Sequence, residues 1–272
     1  MRKLLSLLRF AGDSWRIFLS RARDNGFASA LVFARSQAHS FYISVRNKHT
    51  KRPHVECPCC GWTGFDFYSQ DYIRWWLPSV RCPNCGSRER HRMLQVYLTS
   101  HDPEFFRISG RVLHFAPEQH VHNIVRRNPG LRYIQADLSL GMLRNGSAPR
   151  FQCDIQHVPV KDNAVDIAFC LHVLEHVRHD RKAIAELHRV LKPGSIAYIM
   201  VPVDLNRDKT EEWDEPAPDV CDHIWAYALP DFKDKLGSFE YREIKPADFL
   251  SPEEIRRFRI PDKEIIYRCV KR

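Results

Sequence analysis

No uncharged stretch in this chain of 272 residues reaches the roughly 18 residues that a bilayer-crossing helix needs. In its most apolar part, residues 1–52, Arg9, Arg16, Arg35 and His39 interrupt every run, so no transmembrane anchor is expected there. A secretory leader is not expected either, because the apolar run after Arg2-Lys3 is only Leu4 to Leu8 and no small-x-small site closes it. Acidic residues are nearly missing from the same region, where residues 1–53 hold 11 Lys/Arg and 2 Asp/Glu. Of the 42 Lys/Arg and 33 Asp/Glu in all, 31 of each remain beyond residue 53, so the net charge of +9 belongs to the N-terminal arm. The neutral remainder gives no sign of a nucleic-acid substrate, whereas the arm suits any polyanion. An even spread of cysteine is also lacking: five of nine fall between Cys57 and Cys85, and Cys153, Cys170, Cys221 and Cys269 are scattered. Disulfide frameworks do not cluster in that way, and a reducing, cytoplasmic compartment with one metal site is the expectation.

What is present suits one large domain with attachments, since 44% hydrophobic residues can fill a sizeable core. Residues 1–53 form a basic arm with two apolar segments, Leu4 to Leu19 and Phe27 to Val45, separated by Arg21 to Gly26. Two readings stand. One is an amphipathic helix at the inner face of an anionic membrane, burying Leu4, Leu5, Leu8, Trp15, Phe18 and Leu19 with arginines toward headgroups. The other is helices packing on the protein's own body or on a partner subunit.

Residues 54–92 contain Cys57-Pro-Cys-Cys60-Gly61 and Cys82-Pro-Asn-Cys85-Gly86, two Cys-Pro-x-Cys-Gly turns. Each turn sets two thiolates close together, and glycine after the second supplies a left-handed residue. Cys57, Cys60, Cys82 and Cys85 are therefore expected to hold a structural Zn2+ in a zinc ribbon, with Cys59 a spare thiol. Closed four-thiolate coordination leaves no position for substrate. Arg81, Arg88, Arg90, His91 and Arg92 read either as a basic rim for nucleic acid or as contacts to the adjoining domain, some of them facing its cleft.

Residues 93–272 are organised around Cys153 to Pro202. There a strand ends at an acid, an apolar strand follows (Val165 to Leu171), then a helix with Ile184, Leu187, Val190 and Leu191 at helical spacing and Asp180 as its N-cap. Lys192-Pro193-Gly194 stops the helix, and Ile196 to Val201 is another apolar strand. Strands that are apolar throughout belong to a parallel sheet covered on both faces. The fold class is doubly wound α/β.

Asp154 with Val158-Pro159-Val160, then Val165-Asp166, Val173-Leu174-Glu175-His176 and Arg189-Val190-Leu191-Lys192-Pro193-Gly194-Ser195 stand in the order seen in class I methyltransferases that use S-adenosylmethionine. The chain resembles that family from about Arg111 to Val203, and its His114-Phe-Ala-Pro-Glu118 after a four-cysteine ribbon is similar to a bacterial branch of it. The resemblance implies a Rossmann-like seven-stranded sheet, S-adenosyl-L-methionine as methyl donor and a set of site residues. His114, Ala116 and Glu118 occupy the first turn, departing from the family's acid and Gly-x-Gly. Glu118 either receives the donor's ammonium group or merely complements a helix dipole. His114 is either a ligand contact or a buried core histidine. Asp137 matches the acid that bonds the ribose hydroxyls, Asp154 the acceptor for the adenine amino group, and Ile155 and Leu171 line the nucleoside. His172, His176 and His223 are candidates for a catalytic base, needed only if the acceptor has a proton to lose.

Asn206 to Asp222 is charged and reads as a loop at the place of a substrate lid; a helix (Leu229 to Leu236), a strand (Phe239 to Ile244), a helix start at Ser251-Pro-Glu-Glu254 and a last strand (Glu264 to Val270) follow. The acceptor stays open among lipid-linked, glycan, small-molecule, protein and RNA classes. The competing reading is a non-catalytic module in which a degenerate methyltransferase fold and a zinc ribbon recruit partners.

Overall fold

The computed structural model describes residues 2–139, 150–217 and 221–272, with side chains from residue 13 onward. These fall into two compact units, Met1–Arg88 with Ala217–Asp222, and Glu89–Pro216 with His223–Arg272. Among the described residues no helix is long and apolar enough to cross a membrane.

In the first unit, α1 (Arg2–His49) is helical except at Gly26, whose backbone turns to φ 82°, ψ 161°. The two apolar segments are thus two helices joined at one residue. Two short antiparallel hairpins follow, β1 (Val55–Glu56) with β2 (Thr63–Gly64) and β3 (Tyr68–Asp71) with β4 (Trp76–Arg81). The segment after Gly26 packs on this hairpin region, burying Ala30, Phe33 and Ile43. Asn47 serves as its clasp: Oδ1 accepts from the N–H of Phe65 (2.7 Å) and Asp66 (3.1 Å), and Nδ2 donates to Asp66 O at 3.0 Å. Arg21 donates to Asp71 at 2.5 Å. Trp15 and Leu19 are 60% and 49% exposed, while the side chains of Leu4, Leu5 and Leu8 lie outside the described residues.

The second unit begins with α2 (Glu89–Val96), which runs into a π turn at Tyr97–His101. Then come β5 (Gly110–Phe115), α3 (Gln119–Val125), β6 (Leu131–Asp137), β7 (Arg150–Gln152), β8 (Val165–Leu171), α4 (Asp180–Val190) and β9 (Leu191–Met200). The chain continues through β10 (Val203–Asp204), β11 (Glu211–Ala217), β12 (His223–Ala228), α5 (Leu229–Lys235), β13 (Glu240–Ile244), α6 (Pro252–Phe258) and β14 (Ile266–Val270). Seven strands form one sheet in the order β13-β14-β9-β8-β5-β6-β7. It is parallel from β7 to β9, and β14 and β13 close it antiparallel. The covering of both faces that uniformly apolar strands imply is visible residue by residue. Leu113, Ala168 and Ile199 pack with Ile184 and Leu187 of α4, whereas their neighbours Val112, Ile167 and Tyr198 pack with Met93, Leu94, Val121 and Ile124. The chain winds outward in both directions from β5 and β8, so the crevice for a ligand opens at the carboxyl ends of these two strands.

The family-like signatures turn out to fasten this scaffold. Asp166 accepts from Arg111 N (2.8 Å) and Lys192 Nζ (2.6 Å), joining β5, β8 and β9. Arg189 donates to the carbonyls of Val158 and Val160 (both 2.8 Å) and pairs with Glu186 and Asp162. Two expectations need correction. Asp180 is the first residue of α4, after His179 at the N-cap, and it is buried, accepting from Tyr227 OH (2.7 Å) and Lys235 Nζ (2.6 Å) instead of capping the helix. The polar segment after Asn206 is not all loop, since β11 pairs in a small three-stranded sheet, β10-β12-β11. That strand is largely exposed, which is why its polar composition is compatible with pairing.

Candidate functional site

The first unit gathers Cys57, Cys60, Cys82 and Cys85, whose sulfurs all lie within 4.8 Å of one another. Both turns are built alike. Gly61 N donates to Cys57 O (2.8 Å) and Gly86 N to Cys82 O (2.9 Å), with the glycines at φ 71° and 72°, a conformation that a Cβ disfavours. Cys57 and Cys85 Sγ are 3.7 Å apart, as are Cys60 and Cys82 Sγ. Tetrahedral zinc with bonds of about 2.3 Å separates its sulfurs by about 3.8 Å, so the donor set and spacing fit Zn2+. Ser87 Oγ, 3.0 Å from Cys57 Sγ, is a supporting partner, and Cys59 stands outside the four.

The second unit holds the crevice. After β5 the chain turns at Ala116, whose φ of 47° is left-handed without glycine's freedom, and α3 starts directly behind Glu118. After β8 it turns at His172, again left-handed at φ 53°, into a short 3-10 turn, Leu174–His176. Strained residues of this kind collect at functional sites, and here they sit at the ends of the two strands that flank the crevice.

Glu118 does not cap its helix: no side-chain cap bond forms. Its Oε1 instead receives Arg90 Nε (3.2 Å) and a still shorter second contact from the same guanidinium, and it lies 2.8 Å from His91 Nε2. Burial alone would favour a neutral Glu118, but His91 and Arg90 hold its carboxyl well below the usual range. Burial pushes His91 down to about 4, against the pull of Glu118, so at neutral pH the permanent partner is the guanidinium. Of the two readings of this basic run, contacts to the adjoining domain are the ones that Arg90, His91 and Arg92 make. Arg90 and His91 meet Glu118 at the start of α3, and Arg92 is wholly buried, donating to the carbonyls of Phe258 (2.6 Å) and Arg259 (3.0 Å). These three residues are committed to the fold and are not presented to a nucleic acid.

His114 is fully buried on β5 with Nδ1 2.7 Å from Tyr133 OH, and burial drives it down to about 3, hence neutral. Its Nε2 and Glu118 Oε2 are both buried without a hydrogen-bond partner. Asp137 ends β6, with Oδ1 accepting from Ser139 N at 2.9 Å. Asp154 lies just past β7, its carboxylate engaged by Gln156 N (2.8 Å) and Nε2 (3.2 Å). Ile155 and Leu171 are 5% and 3% exposed, within the core beside these turns.

The three histidine candidates converge on a residue that sequence reasoning passed over. Glu175 is 1% exposed, with His172 Nδ1 at 3.3 Å and His223 Nε2 at 4.0 Å from its Oε1. The rings of His176 and His223 meet edge to face, centroids 4.9 Å apart. Burial opposes charge on Glu175, yet His172 and His176 keep its carboxyl below the ordinary value. Arg90 and His91 were visible only as a charge run, and Glu175 only as a member of the Val173-Leu174-Glu175-His176 signature, with nothing to give it a role.

Residues 115–199 match the family model of the methyltransferase domain. Over 74 residues the chain is 36% identical to an uncharacterized protein of Methanocaldococcus jannaschii, covering 26% of this chain and about a third (32%) of that relative's length. Among solved structures, the [4+2]-cyclase SpnF superposes with a TM-score of 0.50 at 17% identity, over 66% of this chain and 82% of that one. A SAM-dependent methyltransferase from Archaeoglobus fulgidus gives 0.48 at 13% identity, over 66% and 94%. With the seven-stranded order and the matched segment taken together, the second unit has the fold of the class I methyltransferases, and its residues 115–199 are similar to the methyltransferase domain.

Proposed function

We propose that the protein is an S-adenosylmethionine-dependent methyltransferase whose ribbon is built around a structural zinc ion. The observation that carries the reading is the placement of two carboxylates, Asp137 and Asp154, at the carboxyl ends of neighbouring strands, beside a left-handed turn at Ala116. Such an edge suits a nucleoside, with Asp137 accepting from ribose hydroxyls and Asp154 from the adenine amino group. The buried, unpartnered His114 Nε2 and Glu118 Oε2 fit the polar amino-acid end of the donor, Glu118 being the acceptor for its ammonium group. When bound, the sulfonium supplies an electrophilic methyl group. The chain's own contribution is alignment: the strand ends fix the donor, and the turn 172–176 with His223 faces the acceptor. His172, His176 or His223 takes a proton only where the acceptor has one to give.

The [4+2]-cyclase among the solved structures shows that this fold alone does not dictate the reaction. Binding therefore has to be measured. Calorimetry with zinc-loaded protein should detect S-adenosylmethionine, and Asp137→Ala should weaken it about 10-fold or more, the loss of a charged hydrogen-bond acceptor. No heat at about millimolar ligand would leave the non-catalytic module as the better reading.

A further inference from the structure

Buried charges in proteins are paired or hold metals, and Glu175 is poorly provided for. Neither of its oxygens has a hydrogen-bond partner of good geometry, His172 Nδ1 standing off at 3.3 Å, although it is 1% exposed. Among the described residues its ion-pair partners are the imidazoles of His172 and His223, with no lysine or arginine. One oxygen of Glu175 and one nitrogen each of His176 and His223 lie within 4.8 Å of one another. The three come from two elements that are pinned together. Trp225 Nε1 donates to Val177 O (2.8 Å) and Tyr227 OH to Leu174 O (3.1 Å), so β12 holds His223 over the 3-10 turn. We propose that Glu175, His176 and His223 bind a first-row divalent cation through ligands separate from the four thiolates, and that its open positions take an oxygen of the methyl acceptor.

One carboxylate and two imidazoles are a donor set that such ions accept while leaving positions for water or substrate. Adjacent ligands on a metal at about 2.1 Å stand roughly 3 to 3.5 Å apart, so the ion would draw the donors inward, the exposed His176 most easily. His172, against the same carboxylate, is then a supporting partner that orients Glu175. The role given to the open positions rests on the methyl-transfer reading; the cation site itself does not.

The test uses the full chain carrying one equivalent of zinc, titrated with Co2+ and followed by calorimetry and visible absorption. Wild type should take up about one further equivalent without the intense near-ultraviolet band of thiolate-bound cobalt. His223→Asn, and His176→Asn with His223→Asn, should weaken that uptake at least ~10-fold with zinc content and circular dichroism unchanged. Absence of a second equivalent, or variants that bind as wild type does, overturns the site. Acetohydroxamate, a small oxygen chelator, should shift the cobalt bands; unchanged bands overturn the open positions. S-adenosylmethionine is titrated into the same samples. Cobalt bound without it removes the methyl-transfer reading and keeps the cation site, and the reverse removes the cation site alone.

Discussion

Replacing Arg90 by methionine should expose how the first turn is held. The guanidinium and the Glu118 carboxylate are 14% and 19% exposed, so little solvent screens the pair. Removing one member of a buried pair leaves the other charge uncompensated, at a cost of about 3 to 5 kcal/mol. Methionine keeps most of the apolar stem, so the loss is electrostatic and not a cavity. Native-state hydrogen exchange of the β5 amides, with zinc saturating, reads the second unit by itself. The pH dependence gives a further check. In wild type the folded carboxyl titrates below its unfolded value, so its stabilising share is complete above the unfolded value and fades only in more acid solution. In the variant only His91 is left to oppose burial, so the folded carboxyl titrates higher than in wild type and takes up a proton more readily. The penalty of the substitution should therefore shrink as pH falls from 7 toward 5, and adding Glu118→Gln should restore most of the loss at pH 7. A penalty under about 1 kcal/mol, or no rescue by the second change, would refute the clamp.

Two further outcomes follow from the same geometry. His91 and His114 are held neutral, down to about 4 and about 3, so the unfolded chain binds more protons below pH 6.5 and the second unit should lose stability steadily from there toward pH 4. Urea titrations that give a flat profile over that range would contradict the burial of both rings. Among the described residues of the first unit the buried apolar cluster around the thiolates is Val55, Cys57, Phe67 and Cys82, with Trp62 packed against it, too small to fold alone. Zinc affinity of about 10 to 16 kcal/mol would supply the difference, so chelation or Cys60→Ser should abolish exchange protection in residues 55–87. Metal analysis should find about one equivalent in reducing buffer; persistent protection without metal would remove the structural role.

Much of the second unit was legible in the sequence because the relevant signals are local. The run Val165 to Leu171 is apolar throughout and is β8, and Ser251 with Glu254 forms the capping box that starts α6. What escaped depends on partners far along the chain. Asp180 has the look of a cap because any acid before a helical pattern does, and its true partner, Lys235, is 55 residues away. The Arg90–Glu118 contact spans 28 residues, and neither end has a spacing rule to betray it. Ala116 and His172 adopt left-handed turns that sequence signals reserve for glycine. β11 is polar on both sides because it is an exposed strand, so composition pointed to a loop.

The way α2 is tied down bears on how the protein is made. Arg92 is met by carbonyls at residues 258 and 259, and Asp102 by Arg268 (3.1 Å), with Tyr198 OH at 2.7 Å. A ribosome therefore delivers these early side chains long before residues 258, 259 and 268 can receive them, and the growing chain has to tolerate a poorly matched cation and carboxylate until those residues emerge. Nascent chains stalled short of residue 258 should be the ones that chaperones hold and proteases cut.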